Sequence, residues 1–237
     1  MDELPQSAAG KTVMTTEPKF IPKEAVEVLF EDGVHFKCRM IDCVGYMVQG
    51  AEGHEEDGKE RLVKTPWFDY DIPFTKAAEI GTKKVIYDHS TVGIVVTCDD
   101  TISELDRSAY IQPETQTIQE LKTLGKPFIV ILNTRKPASP ETLELAQQME
   151  AEYGVGVLPI NCDQLRKADV VHIFEALLLD FPVTCVKFDI PKWVEALDMK
   201  DAIKQKIVEK TNQIFSQMYL MKDATNYAFV EDEYCLL

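Results

Sequence analysis

Phe36-Lys37-Cys38-Arg39-Met40-Ile41-Asp42-Cys43-Val44-Gly45 decides the fold. Its first six residues read as a strand that runs straight into an Asp, with Gly three positions further on. A carboxylate at a strand's end is suited to hold a water on Mg²⁺. A Gly in that loop lets its backbone N–H approach a γ-phosphate with no side chain in the way. D-x-x-G alone occurs by chance in many loops, so the residues ahead of it carry the argument.

Upstream, Thr15-Thr16-Glu17-Pro18 is a polar stretch with a helix-stopping Pro. Val26-Glu27-Val28-Leu29-Phe30 follows as a strand, and Asp32-Gly33 is a hairpin turn, since Gly accepts the positive φ that such turns require. Threonine loop, hairpin and D-x-x-G in this order match the switch I to switch II region of GTPase-like P-loop enzymes; the competing reading is a plain hairpin in another α/β domain. In the first reading a switch I threonine senses Mg²⁺ and the γ-phosphate. A phosphate-cradling G-x-x-x-x-G-K-[ST] is expected ahead of it on a first strand. Gly10-Lys11-Thr12 ends like one, but its first glycine would fall at Pro5 and no strand precedes it. The chain is therefore read as lacking its own phosphate cradle.

At 237 residues the chain fits one sizeable domain and an appendage, and 45% hydrophobic content without low-complexity tracts makes it globular. A net charge of −15 argues against nucleic acid and against direct attraction to anionic lipid. The acidic opening Met1-Asp2-Glu3 has no apolar segment after it, so no secretory signal is expected, and the apolar runs are too short to cross a bilayer. Six cysteines and four histidines are scattered without C-x-x-C spacing, which favours reduced thiols over a zinc site. Cys235 is third from the end and gives no prenylation signal.

After Gly45 the region from Tyr46 to Phe74 reads as a long irregular loop. Its Trp67-Phe68 pair is either a contact surface or a loop folded back on its own Trp. A helix is expected over about Thr75 to His89, then a buried strand at Gly93 to Thr97. Pro113 is read as opening a helix that Gly125 closes. Phe128 to Leu132 is the next strand, ending at Asn133. Ser139-Pro140-Glu141 starts a helix with a capping hydroxyl, a first-position Pro and an acidic first turn, running to about Tyr153. A strand at Val155 to Ile160 and a helix at Asp169 to Leu179 complete the alternation. The expected class is α/β, with a mostly parallel sheet flanked by helices and ligands at the strands' carboxyl ends. Beyond Ile190, Trp193, Leu197, Ile203, Ile207, Ile214, Met218 and Met221 recur at helical spacing, predicting one long amphipathic helix with a break admitted near Asp198.

In GTP-binding relatives of this class the strand at Phe128 ends in N-K-x-D, whose Asp reads guanine. Here the residues are Asn133-Thr134-Arg135-Lys136. A lysine cannot accept guanine's N1 and N2 hydrogens, so guanine selection is lost and ATP becomes the expected nucleotide. Several stretches closely resemble the stage IV sporulation protein A family: Asp2 to Thr12, Met14 to Phe20, Asp42-Cys43-Val44-Gly45-Tyr46, Thr65-Pro66-Trp67, Ala77 to Thr82 and Gly125-Lys126-Pro127-Phe128.

That resemblance implies a spore coat morphogenetic ATPase with a GTPase-type P-loop NTPase fold, using ATP and Mg²⁺ to drive its own polymerisation into the basement layer around the forespore. By residue, Asp42 matches the Mg²⁺ ligand, Thr15 and Thr16 the threonines that sense the γ-phosphate, and Gly45 the D-x-x-G glycine. Implied partners are further copies of itself, a small amphipathic membrane-anchoring peptide and other coat proteins, in the mother-cell cytoplasm at the forespore surface. The membrane is reached only indirectly. Residues 1–189 are read as a truncated ATPase domain without its first strand and P-loop, and 190–237 as a helical linker opening a middle domain. That missing strand would lie between those at Phe36 and Gly93, so exposed strand edges, marginal stability and aggregation are expected.

Overall fold

The computed structural model describes residues 19–225 apart from 31–32, 34, 44, 52–54, 57 and 66. It divides into two compact units, Met1–Ile173 and Phe174–Leu237. The first unit opens with the expected hairpin: β1 (Lys19–Leu29) pairs antiparallel with β2 (His35–Asp42), and Gly33 takes φ +81° at the turn. The register breaks between Ile21 and Val26, where Pro22 has no N–H to give the ladder. Phe30 stacks on Phe36, with ring centroids 5.7 Å apart, which closes the hairpin's end.

The stretch from Tyr46 to Phe74 is more ordered than a loop. It carries two short antiparallel hairpins, β3 (Glu55–Glu56) with β4 (Lys59–Glu60) and β5 (Leu62–Thr65) with β6 (Phe68–Pro73). Val63 and Ile72 pair across the second hairpin and are buried with Phe74 and Ala77 of the following helix. Alternation of Val63 and Thr65 against exposed Leu62 and Lys64 was the missed strand signal. Trp67 is half-buried with the Lys84 ammonium 5.8 Å from its ring centre, and Phe68 packs on the same cluster, so this segment folds back on itself.

Helix α1 (Phe74–Lys84) continues as a wider π turn, Val85–His89, covering the expected helix. Strands β7 (Gly93–Cys98), β8 (Phe128–Asn133) and β9 (Val157–Ile160) form a parallel sheet in that order. Helix α2 (Ser108–Thr123) and helix α3 (Pro140–Tyr153) are the crossovers between them. One face of the sheet, with Val95, Phe128, Val130, Leu132 and Val157, packs with Ile118 and Leu121 of α2 and with Ala146, Met149 and Tyr153 of α3. Such burial contributes roughly 1.5–3 kcal/mol per large side chain and is what holds the sheet.

Helix α3 starts as read: the Ser139 hydroxyl accepts the Thr142 N–H, Pro140 is its first residue, and Gly154 closes it at φ +60°. Pro113 does not open α2 but is the sixth residue of it. The first turn is wound tightly, with N–H of Ala109 and Tyr110 bonding back to the carbonyls of Asp106 and Arg107. Arg107, just ahead of the helix, is ion-paired to Glu114, and this pins the first two turns although Pro113 offers no N–H.

The outer edge of β7 carries no strand among the described residues. Ile94 and Val96 are 39% and 58% exposed, whereas their in-register neighbours Ile129 and Ile131 are 0% and 5%. Among the described residues this edge is therefore unpaired, and the face of β7 that carries Ile94 and Val96 is apolar and exposed.

Helix α4 (Lys167–Leu179) crosses the division between the units. In the second unit the helix expected beyond Ile190 is broken at the admitted place near Asp198 and again after Phe215, giving among the described residues α5 (Lys192–Glu195), α6 (Ala202–Phe215) and α7 (Met221–Thr225). Asp198 and Asp201 break it by accepting N–H groups of Lys200 and Ile203, so Asp201 becomes the cap of a new helix. Asp180 pairs with Lys222 at 2.9 Å, Pro182 bridges Leu220, and Phe188 packs on Phe215. Among the described residues no helix is long and apolar enough to cross a membrane.

Candidate functional site

Strand β2 ends at Asp42, whose carboxylate is exposed. Gly45 follows at φ +79°, a backbone shape that a side chain resists, and an added Cβ there would meet no atom within 4 Å. The loop beyond is tethered at two points. The Tyr46 hydroxyl donates to Glu120 Oε2 of α2 at 2.5 Å, and Met47 packs against the Val63, Ile72, Phe74 and Ala77 cluster. Burial first, then the carboxylates of Glu120 and Glu79, push the Tyr46 phenol well above its ordinary range, so it is a permanent donor.

Each strand of the parallel sheet is followed by a polar residue, Asp99 after β7, Thr134 after β8 and Asn161 after β9. Strand β7 leads into Asp99-Asp100-Thr101, and Asp99 is buried, accepting from the N–H of Thr101 at 2.9 Å and its hydroxyl at 2.5 Å. Strand β8 ends at Asn133, whose Oδ1 accepts the N–H of Cys162 just past β9 at 3.0 Å. The amide nitrogen of Asn133 faces the Cys98 thiol, which burial pushes up and so keeps protonated. Lys136 is exposed, its backbone N–H bonded to the Thr134 hydroxyl at 3.1 Å.

Behind the β7 loop lies a second polar group. Arg107 donates to Glu114 Oε1 at 2.7 Å, to Thr97 Oγ1 at 3.3 Å, and through its backbone N–H to Asp100. Tyr153 of α3 donates to the same Glu114 oxygen at 2.7 Å. Periodicity gave no warning of this network, because a Glu on the apolar stripe of α2 reads as a break in pattern.

Of the residues read from sequence, Asp42, Gly45 and Asn133 stand at strand ends or in the loop beyond. Thr15 and Thr16 lie outside the described residues. Among the described residues no three or more His, Cys, Asp or Glu side chains converge as a metal cage. A lone exposed carboxylate fits Mg²⁺, which takes one or two carboxylates plus phosphate oxygens and waters.

Sheet order, crossover helices and polar loops at the strands' carboxyl ends define an α/β domain with a parallel sheet, an architecture consistent with an ATPase domain. The chain belongs to the stage IV sporulation protein A family: residues 1–182 match its ATPase domain and residues 183–235 its middle domain. It is 50% identical to stage IV sporulation protein A of Clostridioides difficile (strain 630), over 94% of this chain and 45% of that protein. The protein of that name from Bacillus anthracis is 42% identical over 98% of this chain and 47% of its own length. That from Bacillus subtilis (strain 168) is 43% identical over 94% and 45%. The chain thus spans about half the length of the curated relatives it matches. No solved structure matches it.

Proposed function

We propose that this chain supplies part of the ATP-hydrolysing domain of a spore coat protein that assembles with copies of itself into the basement layer around the forespore. The observation that carries the reading is Asp42 at the end of β2 with left-handed Gly45 in the loop beyond, in a chain whose family is defined by an ATPase domain. Asp42 would hold Mg²⁺, which when bound offsets charge on the β- and γ-phosphates. Thr15 and Thr16 sense the γ-phosphate, Gly45 offers it a backbone N–H, and Asn133 donates to the purine. Lys136, in place of a carboxylate, turns the site from guanine to adenine.

Residues 1–237 contain no G-x-x-x-x-G-K-[ST]. The lysine and backbone nest of such a loop supply most phosphate affinity, so this chain alone binds Mg-ATP more weakly than micromolar and does not turn it over. Residues 1–182 form the ATPase portion, and 183–235 belong to the middle domain rather than to a linker that starts at 190. The setting is the mother-cell cytoplasm at the forespore surface, with an amphipathic anchoring peptide and other coat proteins as partners. Titration calorimetry with Mg-ATP tests the affinity: a micromolar Kd for this chain would overturn it.

A second reading, a structural module that assembles without hydrolysis, is favoured by the open β7 edge with exposed Ile94 and Val96. Sedimentation with and without ATP separates the two. A monomer under both conditions sinks the structural reading, and assembly that needs ATP supports the first.

A further inference from the structure

The loops after β7 and β8 are joined by two threonine hydroxyls that the reading above does not use. A carboxylate accepts and does not donate, so the short bond at Asp99 Oδ1 commits the Thr101 proton to it. The Thr101 oxygen then has only lone pairs to offer. One accepts the N–H of Arg135 at 2.9 Å. The Thr134 hydroxyl lies 3.4 Å away and, with Thr101's proton already used, is the donor across that gap. Thr134, 0% exposed, in turn accepts the N–H of Lys136. Two consecutive amides, those of Arg135 and Lys136, are thus each fixed by a hydroxyl, and the chain of protons ends on a buried carboxylate.

The rest of the loop's backbone is held by two bonds, Thr134 N–H to the Ile160 carbonyl and Ser139 N–H to the Lys136 carbonyl, both at 3.0 Å. The side chains of Arg135 and Lys136 are exposed, so apolar packing does not set their backbone. Asn133 is fixed from the opposite side by Cys162 N–H. One end of Asn133-Thr134-Arg135-Lys136 is therefore set by β9 and the turn after it, and the other by the turn after β7 together with the Ser139 N–H.

We propose that Thr101 is the positioning residue of a purine-reading loop: it fixes Lys136 relative to Asn133 in the register that reads adenine, although it touches no nucleotide itself. This rests on the nucleotide reading proposed above. Adenine offers an acceptor at N1 where guanine carries a hydrogen, so a fixed lysine ammonium selects the first and a mobile one selects neither. Asp99 makes the arrangement directional, because without the Thr101 hydroxyl its Oδ1 keeps the Thr101 N–H alone and Arg135 N–H loses its acceptor.

The test compares the wild-type chain with Thr101→Val, which keeps the shape without the hydroxyl, and with Thr101→Ser, which restores it. Amide NMR titrations use Mg-ATP, Mg-GTP and Mg-tripolyphosphate at millimolar concentration, with hydrogen exchange of residues 133–136 read in parallel. Thr101→Val should need about tenfold more Mg-ATP for the same shifts, lose its preference over Mg-GTP and bind tripolyphosphate as before. Thr101→Ser should behave as wild type. Exchange at Arg135 and Lys136 should quicken in the valine variant alone. An Mg-ATP response in Thr101→Val equal to wild type overturns the inference, as does equal weakening of ATP and tripolyphosphate. A wild type that answers ATP and tripolyphosphate alike sinks the base-reading site itself, and this inference with it.

Discussion

Replacing Glu114 by Gln keeps the side chain's shape and removes its charge, so it isolates the ion pair beneath the β7 loop. Glu114's side chain is 1% exposed and that of Arg107 15%. Breaking a buried pair by removing one partner costs about 3–5 kcal/mol. Three features place this pair at or below the lower end. Arg107 keeps some water, the contact is single-armed because Arg107 Nε and Glu114 Oε2 have no partner, and the Gln carbonyl still accepts one of two donors. About 2–3 kcal/mol is expected. With a urea slope of about 1–3 kcal/mol/M, the midpoint should fall by about 1–2 M. Trp67 fluorescence in a Trp193→Phe background confines the signal to the first unit. Adding Arg107→Met should recover part of the loss, since it removes the stranded charge. A Glu114→Gln midpoint within about 0.2 M of the parent would refute the view that this pair pins α2 and the Asp99–Arg107 loop.

Tyr153 carries a pH dependence. Burial and the Glu114 carboxylate push its phenol up to about 12, so its stabilisation is whole below the unfolded value near 10 and is lost as pH rises from there toward 12. The tyrosinate absorbance of wild type minus Tyr153→Phe should be flat through pH 10.5, and a step near 10 would contradict the bond to Glu114. At the open edge, Val96→Lys should slow aggregation while changing the melt by less than about 0.5 kcal/mol, because the side chain is 58% exposed. Unchanged light scattering on heating would mean that association starts elsewhere.

Most of the sheet was legible because its strands are continuous apolar runs and its helices carry local punctuation. Phe128 to Leu132 is buried on both faces and reads as such, and Ser139-Pro140-Glu141 specifies a helix start in three residues. The hairpin at Gly33 and the end of β2 at Asp42 follow from a turn glycine and a polar stop. What sequence could not give depends on contacts distant along the chain. Pro113 opens no helix because Arg107, six residues earlier, is held by Glu114 from the next turn. In the C-terminal region the break admitted near Asp198 is present, because Asp198 and Asp201 bond nearby N–H groups more readily than they continue a helix, but the second break after Phe215 leaves no mark in the apolar spacing. The staple of Asp99, Thr101 and Thr134 joins residues 33 apart, through hydroxyls that look like ordinary loop polarity.

For this chain to belong to an ATP site, a nucleotide's metal must reach the end of β2. Mn²⁺ in place of Mg²⁺ makes this visible: titrating Mn-ATP into the labelled chain should broaden the amide signals of Cys43 and Gly45 first, and Asp42→Asn should abolish the effect. Broadening centred elsewhere, or persisting undiminished without the Asp42 carboxylate, would contradict it.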